Sequence, residues 1–338
     1  MPGGRNGVGV KSIYNGLILL ICLIACEPRP EVVIYTAHDP VFSRAILTEF
    51  ERRSGIRVLP VFDTEATKTV GLAERLRRER KRPRCDIFWN NETLRTIRLA
   101  QEGLFEPYLS PAAEGIPPEF RDVQGLWTGF AARARAIAFD PDKVDAELIP
   151  HSHEDLLKPV WRNQIAMGNP RFGTTGSHLA FLFAAWGEPR ARKFLLALRE
   201  NGVQMVGGNS TARDRVLSGE ARLGLTDTDD IEVVRRRGAS IAESLFAKEG
   251  TVVLPNSVAL VKGAPHPEEA RALLDFLLSE EVEAMLAASP SRQIPLRRSV
   301  AVPPGGLRLE SLRRLPVTLQ EAAHQLPIAL RAVEEIWP

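Results

Sequence analysis

The stretch Gly129-Phe130-Ala131-Ala132-Arg133-Ala134-Arg135-Ala136-Ile137-Ala138-Phe139-Asp140 constrains the fold more than any other. Read with the period of two of a β-strand, it puts Arg133, Arg135, Ile137 and Phe139 on one side. Ala132, Ala134, Ala136 and Ala138 fall on the other. Four small side chains on one face admit close approach of another piece of backbone. Two guanidiniums on the opposite face are costly to bury unless each meets a carboxylate, a carbonyl or a bound anion. The alternative is a partly buried strand whose arginines reach back to water. The chain reads as one α/β unit before this strand and a second one after it. The strand is therefore expected to cross between two lobes, with its arginines near the cleft they share.

A length of 338 residues exceeds what one core usually supports and fits two lobes. With 44% hydrophobic and 25% charged residues the composition is that of a globular chain rather than a disordered one. A net charge of +2 gives no global basic footprint, so no nucleic-acid partner is expected.

Arg5 and Lys11 precede the apolar run 17–25, which ends at Cys26. A basic segment, a short apolar segment and small residues before a cut describe an export signal too short to span a bilayer comfortably. Leu23-Ile24-Ala25-Cys26 resembles the lipobox of bacterial lipoproteins, in which the chain is cut before a cysteine that carries lipid; a signal anchor with an incidental thiol is the alternative. Residues 1–25 are then signal peptide and 26–31 a stiff, proline-bearing tether. An exported, periplasmic or cell-surface protein held to a membrane through the lipid on Cys26 follows. Cys85 remains as a buried small hydrophobe, with no structural disulfide expected.

Strands and helices alternate along the rest. Apolar strands at 32–36, 56–62 and 86–89 are each followed by a polar turn and a helix. The rhythm resumes with strands at 164–167, 203–206 and 223–226. The chain recrosses near 252–260, with Pro255-Asn256 in the bend. Helices at 267–278 and 279–288 rejoin the first lobe, and a last amphipathic helix ends near Ile336. The first lobe is read as 32–130 plus 258–338, the second as 131–257. Asp39-Pro40 reads as a capped helix start.

The polar clusters share one address. Thr36 to Asp39, Asp63 to Thr67, Asn90 to Glu92, Gly173 to Ser177, Gly207 to Thr211 and Asp227 to Asp230 all lie where a strand ends and a helix begins. In open α/β sheets that edge binds ligands. Two such sheets facing each other across a crossing strand would enclose a small ligand and close on it about a hinge. Thr36, His38, Thr64, Glu65, Asn90, Asn91, Arg133, Thr174, Thr175, Asn209, Asp227, Asp229 and Asp230 are the expected contacts.

The chain resembles the extracellular solute-binding proteins of bacterial ABC importers, in the branch that contains ferric-iron-binding proteins. The resemblance rests on 33–36, 49–56, 85–89, the Arg133 and Arg135 strand, Gly208-Asn209-Ser210 and 264–270. It implies an α/β, two-lobed periplasmic-binding-protein fold of type II, each lobe a mostly parallel sheet flanked by helices, joined by crossing strands. It also implies a monomeric receptor, not an enzyme, that delivers a small solute to a permease and its ATPase. No obligatory cofactor is implied; the cargo would be ferric iron or an iron complex with a synergistic anion. In the relatives the turn matching Gly173 to Ser177, with the residue matching Asn209, holds that anion.

The resemblance departs at the metal. Iron-binding members place two adjacent tyrosines where this chain has Asp229 and Asp230, and after the signal only Tyr35 and Tyr108 remain. Asp227, Asp229 and Asp230 offer hard oxygen donors, with His38 or Glu92 closing the site from the other lobe. They would equally hold an ammonium group, as in an aminophosphonate or polyamine, or simply favour the start of a helix. The helix start at Gly173, joined by Arg133, suits an anion. A secreted hydrolase using Asp227, Asp229, Glu92 and a divalent metal is a rival from another class, as is a sensor lobe. His151-Ser152-His153-Glu154 reads as an exposed helix start, and the basic run Arg75 to Arg84 as a solvated helix face.

Overall fold

The computed structural model describes residue 4 and residues 29–38, 40–63 and 70–338. In chain order the main elements are β1 (Glu31–Thr36), α1 (Pro40–Ser54), β2 (Arg57–Phe62), α2 (Gly71–Glu79), β3 (Ile87–Asn90), α3 (Thr93–Gln101) and β4 (Thr128–Phe139). There follow β5 (Ile165–Gly168), α4 (Gly173–Trp186), α5 (Glu188–Glu200), β6 (Gln204–Val206), α6 (Asn209–Ser218), β7 (Leu223–Asp227), α7 (Thr228–Arg235) and β8 (Ala242–Ser244). Then come β9 (Val253–Leu260), α8 (Pro267–Leu277), α9 (Glu280–Ala288) and α10 (Leu319–Ile336).

The strands form one path, β2-β1-β3-β9-β4-β7-β5-β6, with β8 also on β4. In the first half β1 pairs in parallel with β2 and β3, and β9 runs antiparallel between β3 and the start of β4. In the second half β5 pairs in parallel with β6 and β7, and the end of β4 runs antiparallel to β7 and β8. All twelve residues of β4 are buried, because it is shared by both halves. One apolar core runs through both from Val32 to Ile336, with Trp89, Trp127 and Phe130 wholly enclosed.

β4 changes register between Phe130 and Ala132, where Ala131 takes a positive φ of 39°. A non-glycine residue persists there only when its surroundings hold it. The Ala131 N–H donates to Glu283 Oε1 (3.0 Å), and its carbonyl accepts from Asn256 Nδ2 (3.0 Å). Glu283 also accepts from the Leu296 N–H (3.0 Å) and from buried Arg297 Nη1 (2.9 Å). Ala132 and Ile294 exchange backbone hydrogen bonds of 2.7 Å beside the bulge.

α8 packs on β1 and β9, and α8 and α9 on α1, so both belong with the first half. α10 packs on α4 and α5 as well as on α3, so the end of the segment assigned above to the first lobe straddles both halves. Asp39, read above as a helix cap, lies outside the described residues.

Replacing Glu283 with Ala strips the bulge of its acceptor and leaves Arg297 buried without a counter-charge. Chemical denaturation is expected to register a loss of about 3–5 kcal/mol. A loss below about 1 kcal/mol, the net worth of an ordinary hydrogen bond, would contradict this account of the bulge.

Candidate functional site

Arg133 and Arg135 are both buried, and each meets its own aspartate. Arg135 sits opposite Asp227 in the β4–β7 register and donates from Nη1 to Asp227 Oδ1 at 2.7 Å. Thr174 Oγ1 donates to Asp227 Oδ2 (2.5 Å), as does Asn209 Nδ2 (2.8 Å). Thr175 Oγ1 donates to Asn209 Oδ1 at 3.0 Å. Asp227 is the residue before α7 but does not cap it with its side chain. Its carboxylate is instead spent on tying β4, α4 and α6 together.

Arg133 spans the two halves. Its Nε donates to Asp229 Oδ2 (2.9 Å), its Nη2 to Asn256 Oδ1 (2.8 Å) and its Nη1 to the Asn91 carbonyl. Burial works against the charged form, but the carboxylates of Asp229, Asp227 and Asp230 together lift its pKa above the ordinary value. Asp230 accepts from Thr226 Oγ1 (3.2 Å), and Arg213 Nη1 stands 3.8 Å from it.

A cavity of about 280 Å³ lies between these residues. Asn91 and Arg133 line it together with Thr174, Thr175, Asn209, Asp227, Asp229 and Asp230. Asn169, Phe172 and the turn 207–211 complete it. α4 and α6 start on its wall, and neither has a side-chain cap, because Phe172 and Gly208 stand at the cap positions. Gly168 admits this approach: a Cβ there would lie 3.0–3.1 Å from the backbone of Gly208 and Asn209. The wall therefore offers helix N-termini, which favour negative charge, beside carboxylates, which favour positive charge. Oxygens of Asp227, Asp229 and Asp230 lie within 4.8 Å of one another.

Other expected site residues are placed elsewhere. Glu92, read above as a metal ligand, is a buried helix cap: it accepts from the Leu94 and Arg95 N–H groups (2.7 and 3.1 Å) and from the Ser177 hydroxyl. His38 is drawn into the first half, stacked on Trp89 with ring centres 4.9 Å apart and 3.0 Å from the Gln293 amide nitrogen. Thr36 accepts from the His38 N–H, and Asn90 donates to the Glu92 carbonyl and to Thr96; both are buried and neither lines the cavity. Thr64, Glu65 and Cys26 lie outside the described residues. Tyr35 and Tyr108 also stand apart, their hydroxyls donating to Glu79 and Asp275 (2.8 and 2.9 Å).

Sequence reasoning missed Gln293 and Asn256, which link His38 to Arg133: Asn256 Nδ2 donates to Gln293 Oε1 at 2.6 Å. It also misjudged His153, which is buried rather than exposed. Arg135 Nε donates to His178 Nδ1 (3.4 Å), so His178 carries its proton on Nε2 and donates to His153 Nε2 (2.8 Å). His153 then donates from Nδ1 to Glu249 at 2.8 Å. Every contact in this row is satisfied with both rings neutral. Burial, with the neighbouring His153 and Arg135 adding to it, holds His178 well below the usual histidine range; burial lowers His153 despite Glu249.

Residues 96–315 match the family of bacterial extracellular solute-binding proteins. The chain belongs to that family. Across 290 residues, 81% of this chain and 79% of the other, it is 29% identical to iron uptake protein A1 of Synechocystis. Iron-bound HitA from Pseudomonas aeruginosa superposes with a TM-score of 0.83 at 24% identity, covering 91% of this chain and all of that one. A Trichodesmium protein solved with iron and citrate superposes at 0.77 with 20% identity, covering 91% and 99%. These likenesses establish the two-lobed type II fold. No helix among the described residues is long and apolar enough to cross a membrane.

Two histidines whose folded pKa lies below the unfolded value contribute stability that is present above about pH 6.5 and lost as pH falls. The unfolding free energy is expected to drop between about pH 7 and pH 5, and to drop less in His178→Gln. Equal pH dependence in the two proteins would contradict the neutral pair.

Proposed function

We propose that this protein is the solute receptor of an ABC importer, with ferric iron held in a complex with a small oxyanion such as citrate as its cargo. The observation that carries this reading is one cavity that offers Asp229 and Asp230 beside the starts of α4 and α6, whose cap positions are Phe172 and Gly208. Carboxylate oxygens suit a hard cation, and helix starts suit its anion. A bare cation would compete with Arg133 for Asp229. A cation that arrives with an anion takes the guanidinium's place there and gives it a new partner. The iron-binding names of the relatives support the same cargo.

In this reading 131–257 swings against 32–130 and 258–338 about β4 and β9, with α10 touching both bodies. Asn91 meets the cargo from the first lobe. The receptor is a monomer, held to its membrane by lipid on Cys26, and hands the solute to the permease and its ATPase without chemical change.

A zwitterionic organic solute such as an aminophosphonate is the second reading. It is favoured by the engagement of Tyr35 and Tyr108 elsewhere, which leaves no described phenolate for iron. Its ammonium would face Asp229 and Asp230 and its acid group the helix starts. A polyamine, lacking the anionic end, suits this wall less well.

Native mass spectrometry of the protein from its own host distinguishes these readings: iron with an oxyanion at one per chain is expected, and an organic mass without metal would transfer the assignment to the zwitterion. Asp229→Asn and Asp230→Asn are each expected to weaken ferric citrate binding by about tenfold or more, since hydrogen bonds and ion pairs to charged groups are worth about 1.5–3 kcal/mol. The melting temperature of Asp230→Asn should stay within a few degrees of the parent, whereas Asp229→Asn, which takes the carboxylate from buried Arg133, should lower it as well. Unchanged affinity with a lowered melting temperature would make these aspartates helix-start residues only.

A further inference from the structure

The first half carries a concentration of positive charge at the edge opposite the cavity. Residues 75–84 hold six arginines and one lysine against a single glutamate. Arg75 pairs with Glu79, and Arg77 with Glu74 and Glu102. Arg78, Arg80, Lys81, Arg82 and Arg84 are exposed and make no ion pair among the described residues. Two acids near this edge have partners of their own: Glu31 pairs with Arg57, and Glu268 with Arg271.

The topology fixes where this charge sits. Parallel pairing sets Ile34 beside Ile87, and the Asp86 N–H donates to the Val33 carbonyl at 2.9 Å. Residues 80–85, which lead into β3, therefore emerge where β1 begins. The chain enters β1 through Arg29 and Pro30, only three residues after Cys26. At about 3.5 Å per extended residue, Cys26 lies within roughly 10 Å of Arg29. Antiparallel pairing of Leu260 with Ile87 brings Lys262 to the same edge. Here a recess of about 230 Å³ opens among Arg80, Arg84 and Lys262, floored by Leu76, Cys85 and Leu104. Glu79, on the same wall, is already engaged by Arg75 and the Tyr35 hydroxyl.

We infer that this basic edge rests on an anionic lipid surface, with the recess facing headgroup phosphates. Unpaired like charges repel one another across an exposed loop, and lipid phosphates relieve that repulsion. The inference rests on acylation of Cys26, because a lipid on so short a tether holds this edge, and no other, against the bilayer. Asn91, beyond the far end of β3, then turns its cavity away from the lipid.

The test is co-sedimentation of the unacylated chain from Cys26 onward, which keeps every residue of the fold. The lipids are vesicles of phosphatidylcholine, with and without phosphatidylglycerol. Binding is expected only to the anionic vesicles, and it should vanish near 1 M salt, where screening acts over about 3 Å. Each basic residue near a lipid surface contributes about fivefold to partitioning, so Arg80→Gln, Lys81→Gln and Arg82→Gln together should lower it by about a hundredfold. Melting temperature and cargo binding should be unchanged in that variant. Arg236→Gln with Arg237→Gln, exposed in the second half, removes net charge elsewhere and should leave partitioning nearly unaltered. No anionic-vesicle binding, equal binding to neutral vesicles, or an equal loss in the second-half control would each overturn the inference; the first result would leave the edge to an acidic protein. The mass of the Cys26 peptide from native protein reports the anchor separately: an unmodified cysteine refutes acylation alone, whereas failed vesicle binding refutes the basic edge alone.

Discussion

Arg133 is a buried cation whose three donor nitrogens each face an oxygen: Asp229 of the second half, Asn91 of the first, and Asn256 on the crossing strand β9. Burying a guanidinium is costly without such partners, and removing the carboxylate leaves a charge that the interior cannot readily solvate. The two halves are therefore held together across the cavity by a charge that the protein supplies itself. In the proposed reading, the solute offers Asp229 a cation at least as good and accepts what Arg133 then has to give.

Arg135, two residues on along the same face of β4, illustrates the other fate of such a side chain. Its aspartate lies directly opposite in the β4–β7 ladder, and Thr174 and Asn209 close around the same carboxylate. Behind it, His178, His153 and Glu249 extend a fully satisfied polar row away from the site. This arrangement ties Asp227 into the framework, whereas in the proposed reading Asp229 and Asp230 meet the solute. The three acids look alike in sequence and are separated by which arginine reaches them.

The crossing strand, the strand-end address of the polar turns and the approximate extent of most elements were legible from periodicity and turn chemistry. β4 advertised itself because Arg133 and Arg135 alternate with alanines. The fate of Glu92 was not legible, since a glutamate that caps a helix and one that binds a metal have the same local sequence; Ser177, 85 residues away, completes its pairing. His38 was misplaced because Gln293, which captures it, arrives from the far end of the chain. His153 lies among polar neighbours and reads as exposed, while its partner His178 sits in an otherwise apolar helix. The bulge at Ala131 carries no local signal, because its cause is Glu283 on a distant helix.

The central claim is that the gap spanned by Arg133 is where the solute binds, and that the cargo displaces the guanidinium from Asp229. Crystals of the protein grown with ferric citrate, measured for anomalous scattering at the iron edge, test it most directly. The account predicts one iron between Asp229 and Asp230, its anion at the starts of α4 and α6, and Arg133 turned from Asp229 onto that anion. Iron found only on the outer surface, or an occupied cavity with the Arg133–Asp229 pair intact, would contradict it.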